Sequence, residues 1–273
     1  MNKLKTEVQA RVISALVEGT SIRSVERMTG VHRDTIMRLS VRVGQACAKL
    51  LDETMRDLPC ERIEVDEIWC YVGKKERQVK ETDDASQLGD FWTFVAIDPD
   101  TKLVPVHRVG KRDLPTAQAF MDDLGYRLHN RIQLSTDGLS TYVEAVERVF
   151  GSAVNYAQVV KAYEAEPASS GRYSPPKVVS QIKTVIVGHP NLDLASTSLI
   201  ERQNLTMRMQ MRRFTRLTNA FSKKVENLEA AVALHFAHYN LVRRHGSLRM
   251  TPAMVAGVAK DFWKIEDLVG LVD

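Results

Sequence analysis

The chain opens with apolar residues at helical spacing. Val8, Val12 and Leu16 would share one face of a helix, so residues 6–18 are predicted to be helical. Gly19 follows directly and is a common residue just beyond a helix end. The pattern therefore predicts an amphipathic helix followed by a turn.

Two more amphipathic segments follow, separated by Gly30. Ser21 is a suitable N-cap for the first, and the second covers residues 32–43. Helix, glycine-containing turn and helix is the helix-turn-helix layout, whose second helix enters the DNA major groove. The side chains presented there would be His32, Arg33, Thr35 and Arg38. A small helical cap or a dimerisation arm would give the same pattern. Residues 45–58 are predicted to form a connecting helix that Pro59 ends.

The middle of the chain alternates between strand and helix patterns. In chain order we predict a strand at 62–73, two strands within 91–110 joined at Asp98-Pro99-Asp100, a helix at 114–130, a strand at 131–138, a helix at 141–150, strands at 155–164 and 181–188 around a loop at 167–177, and helices at about 196–216 and 222–243. Three consecutive strands followed by strand–helix units indicate a mixed α/β sheet flanked by helices.

Composition places the chain among ordinary globular proteins. It has 273 residues, 44% hydrophobic and 26% charged, which excludes disorder as the main state and allows one or two domains. No apolar run is long enough for a membrane helix, and the N-terminus lacks the features of a secretion signal. Cys47, Cys60 and Cys70 show no Cys-x-x-Cys spacing, which suits a reducing cytoplasm.

The charge is unevenly distributed. Residues 1–50 carry nine Lys and Arg against four Asp and Glu, and residues 201–250 carry ten against three. Residues 51–200 are acidic, with 17 basic residues against 23 acidic ones. Basic faces attract the phosphate backbone of nucleic acids, so this pattern favours DNA as a partner of the two terminal blocks.

Three acidic residues occupy positions that favour chemistry. Asp66 lies inside an apolar strand, where an unpaired carboxylate is costly. Asp137 ends a strand before Gly138, and Glu201 lies in the first turns of a helix. Each has an ordinary alternative role, as a paired core acid, a turn residue or a solvated helix residue. Together, three oxygen ligands suit Mg²⁺ or Mn²⁺, and two such ions can promote phosphoryl transfer.

The order of these acids resembles that of the DDE transposases of the RNase H-like superfamily. The stretches that carry the likeness are VDEIWCYVGKK, FWTFVAIDPDTKLV, LSTDGLSTY and IERQNLTMRMQMRRFTRLTNAFSKKVENLEAAVALHFAHYNLVRRHGSLRMTPA, which together lie within about residues 20–255. They are most similar to transposases of the insertion sequence 1 family. The resemblance implies an α/β, RNase H-like catalytic domain at 59–255 with an insertion at about 155–190, preceded by a helix-turn-helix domain at 1–58 and followed by a tail at 256–273.

The resemblance also implies an activity. Asp66, Asp137 and Glu201 would be catalytic and would bind two Mg²⁺ or Mn²⁺ ions. The reaction would be DNA strand cleavage at the element ends, then transfer of the 3′-hydroxyl to target DNA. The partners would be double-stranded DNA and a second copy of the chain, and neither a membrane nor a small-molecule cofactor would be involved. The protein would be located in the bacterial cytoplasm, at the nucleoid.

Basic residues after Glu201 complete the predicted site. The candidate DNA contacts are Arg208, Arg212, Arg213, Lys223 and Lys224. Asn240, Arg243 and His245, in a run similar to one in several transposase families, would orient DNA or support the site.

Strand alternation is expected to point Glu67 away from Asp66, so Glu67 is not counted as a ligand. An RNase H-fold nuclease that only hydrolyses DNA and a non-catalytic DNA-binding regulator remain alternatives.

Overall fold

The structure is a computed structural model that describes residues 4–163, 178–215 and 218–272. Its first part consists of the helices α1 (Thr6–Val17), α2 (Ile22–Thr29) and α3 (Arg33–Thr54). Ser21 caps α2, because its Oγ accepts a hydrogen bond of 3.1 Å from the Ser24 N–H. Gly30 ends α2 with a φ of 70°, in the left-handed region that favours glycine. Helices α1 and α2 lie where the sequence predicts them, and binding of this region to DNA stays a prediction.

Helix α3 corrects one predicted boundary. The predicted helices at 32–43 and 45–58 are a single helix of 22 residues that ends at Thr54, so the prediction that it extends to residue 58 and is ended by Pro59 is wrong. Gly44 does not break it, because α3 packs against a later helix at this point. A Cβ atom on Gly44 would overlap the carbonyl group of Ala230, with 2.6 Å to its carbon. Gly44 therefore allows two helix backbones to approach closely.

Six strands form one mixed sheet. They are β1 (Arg62–Val72), β2 (Gly89–Ile97), β3 (His107–Gly110), β4 (Gln133–Thr136), β5 (Asn155–Tyr163) and β6 (Val178–Val187), in the spatial order β3-β2-β1-β4-β5-β6. Strands β1 to β3 pair antiparallel, β1 pairs parallel with β4, and β4 pairs parallel with β5. An antiparallel meander extended by parallel strands is the RNase H-like arrangement, so the predicted α/β fold class is confirmed.

Helices cover both faces of this sheet. The helices after β3 are α4 (Leu114–Arg127), α5 (Ser140–Phe150), α6 (Ser198–Gln210), α7 (Val225–Ala237), α8 (Pro252–Val255) and α9 (Ile265–Gly270), of which α8 and α9 pack against other helical segments. Side chains on the two faces of β1 contact different helices. Glu64 and Asp66, on one face, contact α6, and Glu67, on the other face, contacts α5. Within the described residues, no helix combines the length and apolar composition needed to span a bilayer.

One hydrophobic core joins the terminal helices to the sheet. Val12 of α1, Phe94 of β2 and Leu268 of α9 belong to the same cluster of buried side chains. Helix α9 lies within the predicted tail at 256–273 and packs against α1. The predicted domain boundaries stay predictions, and the segments on either side of them share a core.

The region predicted as an insertion contains two strands. Strand β5 pairs with β4 and so continues the central sheet, and β6 pairs antiparallel with β5 at the sheet edge. The predicted loop at 167–177 lies outside the described residues. The extent of an insertion at 155–190 stays a prediction.

Candidate active site

Two of the predicted acids meet where the pairing of the adjacent parallel strands β1 and β4 stops. Pairing between β1 and β4 stops at Val65 and Thr136, so Asp66 is the next residue of β1, which continues to Val72, and Asp137 is the first residue after β4. Carboxylate oxygens of Asp66, Asp137 and Glu67 lie within 4.8 Å of one another. The carboxyl ends of parallel strands are where ligands collect in α/β sheets.

Glu67 corrects the expectation drawn from strand alternation. Its side chain leaves the opposite face of β1, yet its carboxylate reaches the Asp66 and Asp137 carboxylates. Strand β4 ends at Thr136, so on this side of β1 no strand separates the two faces of the sheet at this level, although β2 still pairs on the other side. The sequence did contain a signal, since two consecutive acids, Asp66 and Glu67, stand between the apolar residues Val65 and Ile68 of a predicted strand.

Each carboxylate of this cluster is held by the surrounding protein. The Asn204 Nδ2 donates a 2.8 Å hydrogen bond to the Asp66 Oδ2, and the Leu139 N–H donates one of 3.1 Å to the Asp137 Oδ1. The Tyr142 hydroxyl and the Arg112 Nε donate to Glu67 at 2.8 and 2.7 Å. These contacts fix the direction of the carboxylates before any ligand binds.

The electrostatics of the cluster favour a cation. Burial raises the pKa of Asp66 to about 7, and the negative charges of Glu67, Asp137 and Glu201 add to the increase. Burial and the charge of Asp137 also raise the pKa of Glu67, although Arg112 opposes this change. Several close carboxylates, all hard oxygen donors, fit a divalent ion such as Mg²⁺ or Mn²⁺.

Glu201 lies near this cluster but outside its shortest contacts. Its negative charge contributes to the raised pKa of Asp66. Its carboxylate, however, is paired with the Lys161 Nζ and accepts a 2.8 Å hydrogen bond from the Thr197 Oγ1. The structure therefore brings Asp66 and Asp137 together and leaves Glu201, the third predicted ligand, in an ion pair at the edge.

Glu64 positions α6 beside the cluster, a role that the sequence analysis did not identify. It is buried in β1, and its Oε2 accepts hydrogen bonds from the Leu199 and Ile200 N–H groups at 2.8 and 3.1 Å. These N–H groups belong to the first turn of α6, where helix donors lack intrahelical partners. Strand alternation is the signal that was available, because it puts Glu64 on the same face as Asp66.

The predicted recognition side chains lie at the start of α3. His32 is the N-cap residue, and its Nδ1 accepts a 3.3 Å hydrogen bond from the Asp34 N–H. Arg33 and Arg38 are exposed, and Thr35 is half-buried. Exposed cations at a helix N-terminus form an accessible basic surface.

The basic residues that follow α6 have different surroundings. Arg212, Lys223 and Lys224 are exposed. Arg213 is half-buried, and its Nη1 donates a 2.7 Å hydrogen bond to the Ser222 Oγ. One donor of its guanidinium is therefore used within the protein. Arg208 is half-buried at the end of α6, with its Nη1 3.5 Å from the Phe214 carbonyl oxygen.

The raised pKa of Asp66 predicts a pH-dependent stability. In the folded protein Asp66 holds its proton up to about pH 7, whereas an unfolded Asp loses it near pH 3.9. The folded state thus binds more protons in this window, and this contribution to stability falls as pH rises through it. We expect metal-free Asp66→Asn protein at pH 8 to melt at least about 2–4 °C above the unmodified protein, the shift that 1 kcal/mol produces at this size.

With Mg²⁺ added at pH 8, we expect thermal denaturation to show the unmodified protein melting at a higher temperature than Asp66→Asn. The unmodified protein should gain stability as Mg²⁺ binds, and Asp66→Asn should gain little. Equal Mg²⁺ responses of the two proteins would contradict the cation site.

Comparisons with known proteins give distant structural likenesses only. No protein-family model and no curated protein matches the chain. A cryo-EM structure of the piggyBac transposase synaptic complex with hairpin DNA aligns with 100% of this chain and 71% of its own, at 10% identity and a TM-score of 0.45. The Mos1 mariner paired-end complex with Mn aligns with 54% of this chain and 58% of its own, at 11% identity and a TM-score of 0.21. The Mos1 strand transfer complex aligns with 86% of this chain and 78% of its own, at 13% identity and a TM-score of 0.24. The fold assignment rests on the strand order and pairing of the chain itself.

Proposed function

We propose that the protein is a DDE-type transposase, a metal-dependent enzyme that cleaves DNA strands and joins a freed 3′-hydroxyl to target DNA. The observation that carries the proposal is the meeting of Asp66, within β1, and Asp137, directly after β4, where the pairing of these parallel strands stops in an RNase H-like sheet, with the Asp66 pKa raised to about 7. Clustered perturbed carboxylates are typical of functional sites.

The metal ligands in this proposal are Asp66 and Asp137, with Glu201 as the third ligand that the sequence predicts and Glu67 as the one that the geometry favours. When bound, a pair of Mg²⁺ or Mn²⁺ ions supplies activation of the attacking hydroxyl and stabilisation of the leaving oxygen. Asn204 holds the Asp66 carboxylate in place, and Arg112 does the same for Glu67. Lys161 keeps Glu201 paired in this structure, so a change of partner at Glu201 would accompany its use as a ligand.

The finer parts of the proposal follow the sequence. The chain would be encoded by a bacterial insertion sequence of the insertion sequence 1 family, and at least two copies would pair the two element ends. Helix α3 would bind the ends through His32, Arg33, Thr35 and Arg38. Arg208, Arg212, Arg213, Lys223 and Lys224 would contact backbone phosphates near the carboxylates, although Arg213 would first have to leave Ser222.

Replacing Arg33 and Arg38 by Ala should weaken DNA binding more than it changes the chemistry. Both side chains are exposed on α3, so their loss should leave the fold intact. We expect binding to the element ends to fall at least tenfold, about the effect of one good base contact, as measured by fluorescence anisotropy. Lys49→Ala on the same helix is the matched control, because Lys49 is exposed and pairs with Glu53. Equal affinities for all three proteins would contradict a recognition role for α3.

The test of the proposed function is a reaction with a labelled duplex that carries the DNA flanking the coding sequence. With Mg²⁺ or Mn²⁺, a transposase yields a free 3′-hydroxyl at a defined end and then joined products. Cleavage without joining would support a nuclease instead, and binding without cleavage would support a regulator. Short inverted repeats and target duplications around the coding sequence would independently support the transposase.

A further inference from the structure

A basic cavity lies beside α6, outside the carboxylate cluster. Its volume is about 140 Å³, well above the roughly 10–15 Å³ that a single water needs, so it accommodates a group of several atoms. Its lining includes the basic side chains of Lys102, Arg202, Arg243, Arg244 and His245 together with the amide of Gln203. Three separate parts of the chain contribute these side chains: the β2–β3 connection, α6 and the segment after α7.

The lining of this cavity combines positive charges without a compensating acid. No Asp or Glu is among its lining residues. Among the described residues, neither Arg202 nor Arg243 forms a side-chain hydrogen bond or an ion pair. Arg244 is already engaged, since its Nε donates a 2.6 Å hydrogen bond to the Arg249 carbonyl. Burial, followed by the charges of Lys102 and Arg243, lowers the pKa of His245, which is what a locally positive environment produces.

A buried amide adds a second observation. Gln203 lines the same cavity and is only 3% exposed, and its Nε2 has no hydrogen-bond partner. An unpaired buried donor costs about 1–3 kcal/mol, so such a group calls for a partner absent from the free chain. An acceptor oxygen from a ligand in the cavity would be such a partner once a turn of the Gln203 amide brought the buried Nε2 to the cavity surface.

We propose that this cavity binds a backbone phosphate of DNA. The two unpaired guanidinium groups match the geometry and charge of a phosphate, which arginine binds through paired N–H donors. The inference rests on the proposed function and deepens it, because it joins Arg202 to Arg243, whose sequence context already suggested a role with DNA, in one phosphate site that is separate from the carboxylates.

The position of the cavity on α6 supports DNA over a free anion. Leu199, Arg202, Gln203 and Thr206 share one face of α6, at the spacing i, i+3, i+4 and i+7. Glu201 and Asn204, which relate to the carboxylate cluster, lie on roughly the opposite face. A helix is about 10 Å across, roughly three nucleotide steps of one strand. A strand crossing α6 could therefore place one phosphate in the cavity and another near Asp66.

The test compares the salt dependence of DNA binding in the full-length protein and in the double variant Arg202→Gln, Arg243→Gln. A lost phosphate contact lowers the slope of log affinity against log salt by about 0.9. We expect that decrease, together with a three- to tenfold weaker affinity that is equal for unrelated DNA sequences. Arg148→Gln is the matched control and should keep the slope, because Arg148 is exposed on α5, on the other face of the sheet, and pairs with Glu144. Arg202→Gln alone, at an exposed position, should give part of the effect if the double variant folds poorly.

The possible outcomes distinguish failure of the cavity proposal from failure of the proposed function. If the unmodified protein binds DNA and the folded double variant has the same slope, the cavity proposal is overturned and the function stands. If the unmodified protein binds no DNA, both are overturned. If inorganic phosphate raises the melting temperature through Arg202 and Arg243 while the DNA slope is unchanged, the cavity holds a free anion and the proposal is wrong.

Discussion

Replacing Asp66 by Asn is expected to abolish metal-dependent DNA cleavage while leaving DNA binding intact. Asp66 lies against Asp137 and Glu67, and its carboxylate is oriented by Asn204. Asn keeps the shape and one acceptor oxygen, so the hydrogen bond from Asn204 can remain. It removes a negative charge from the cluster, and metal ions contribute several kcal/mol to reactions of this kind. A loss of about a thousandfold or more in cleavage rate should follow.

The measurement is cleavage of a labelled duplex with Mg²⁺ or Mn²⁺, beside a binding isotherm for the same DNA. Asp137→Asn should behave in the same way, and so should Glu201→Gln if Glu201 is the third ligand. Asp122→Asn, an exposed carboxylate on α4, is the matched control and should cleave normally. Cleavage by Asp66→Asn at an unchanged rate would remove the carboxylate cluster from the mechanism.

Replacing Gly44 by Ala should produce the largest loss of stability. A Cβ at this position meets the carbonyl group of Ala230 on α7, which is main chain and has no rotamer to adjust. The helices α3 and α7 would have to separate, and overpacking of this kind costs about 3 kcal/mol. The melting temperature should fall by roughly 6–12 °C.

Gly270→Ala provides the control for helix propensity. Gly270 is the last residue of α9, and a Cβ there has no neighbour within 4 Å. Alanine favours helices over glycine by up to about 1 kcal/mol, so this variant should be as stable as the unmodified protein or more so. A similar stability gain for Gly44→Ala would show that α3 and α7 do not make the close contact described.

Local sequence signals predicted much of the fold. Ser21 and Gly30 marked the ends of α2 because capping and left-handed turns depend on single residues. Asp137 was placed correctly at a strand end, since Gly138 and the preceding apolar run are local features. The fold class followed from the order of strand and helix patterns, which fixes much of how a mixed sheet is assembled.

Features that depend on distant parts of the chain were not predicted. The sequence predicted two helices on either side of Gly44, and the contact that makes glycine suitable inside one long helix is with Ala230, 186 residues further along the chain (230 − 44). The joining of the Glu67 carboxylate to the cluster depends on where β4 ends. The basic cavity is lined by residues as far apart in the sequence as Lys102 and Arg243, so no local sequence pattern predicts it.

The most direct test of the account is to locate Mn²⁺ by anomalous diffraction in crystals of the unmodified protein. The account predicts a peak in contact with the carboxylates of both Asp66 and Asp137, and the same map would show whether Glu67 or Glu201 supplies the third ligand. It also predicts the loss of that peak in Asp66→Asn crystals. Mn²⁺ bound elsewhere, or not bound under conditions in which the protein cleaves DNA, would contradict it.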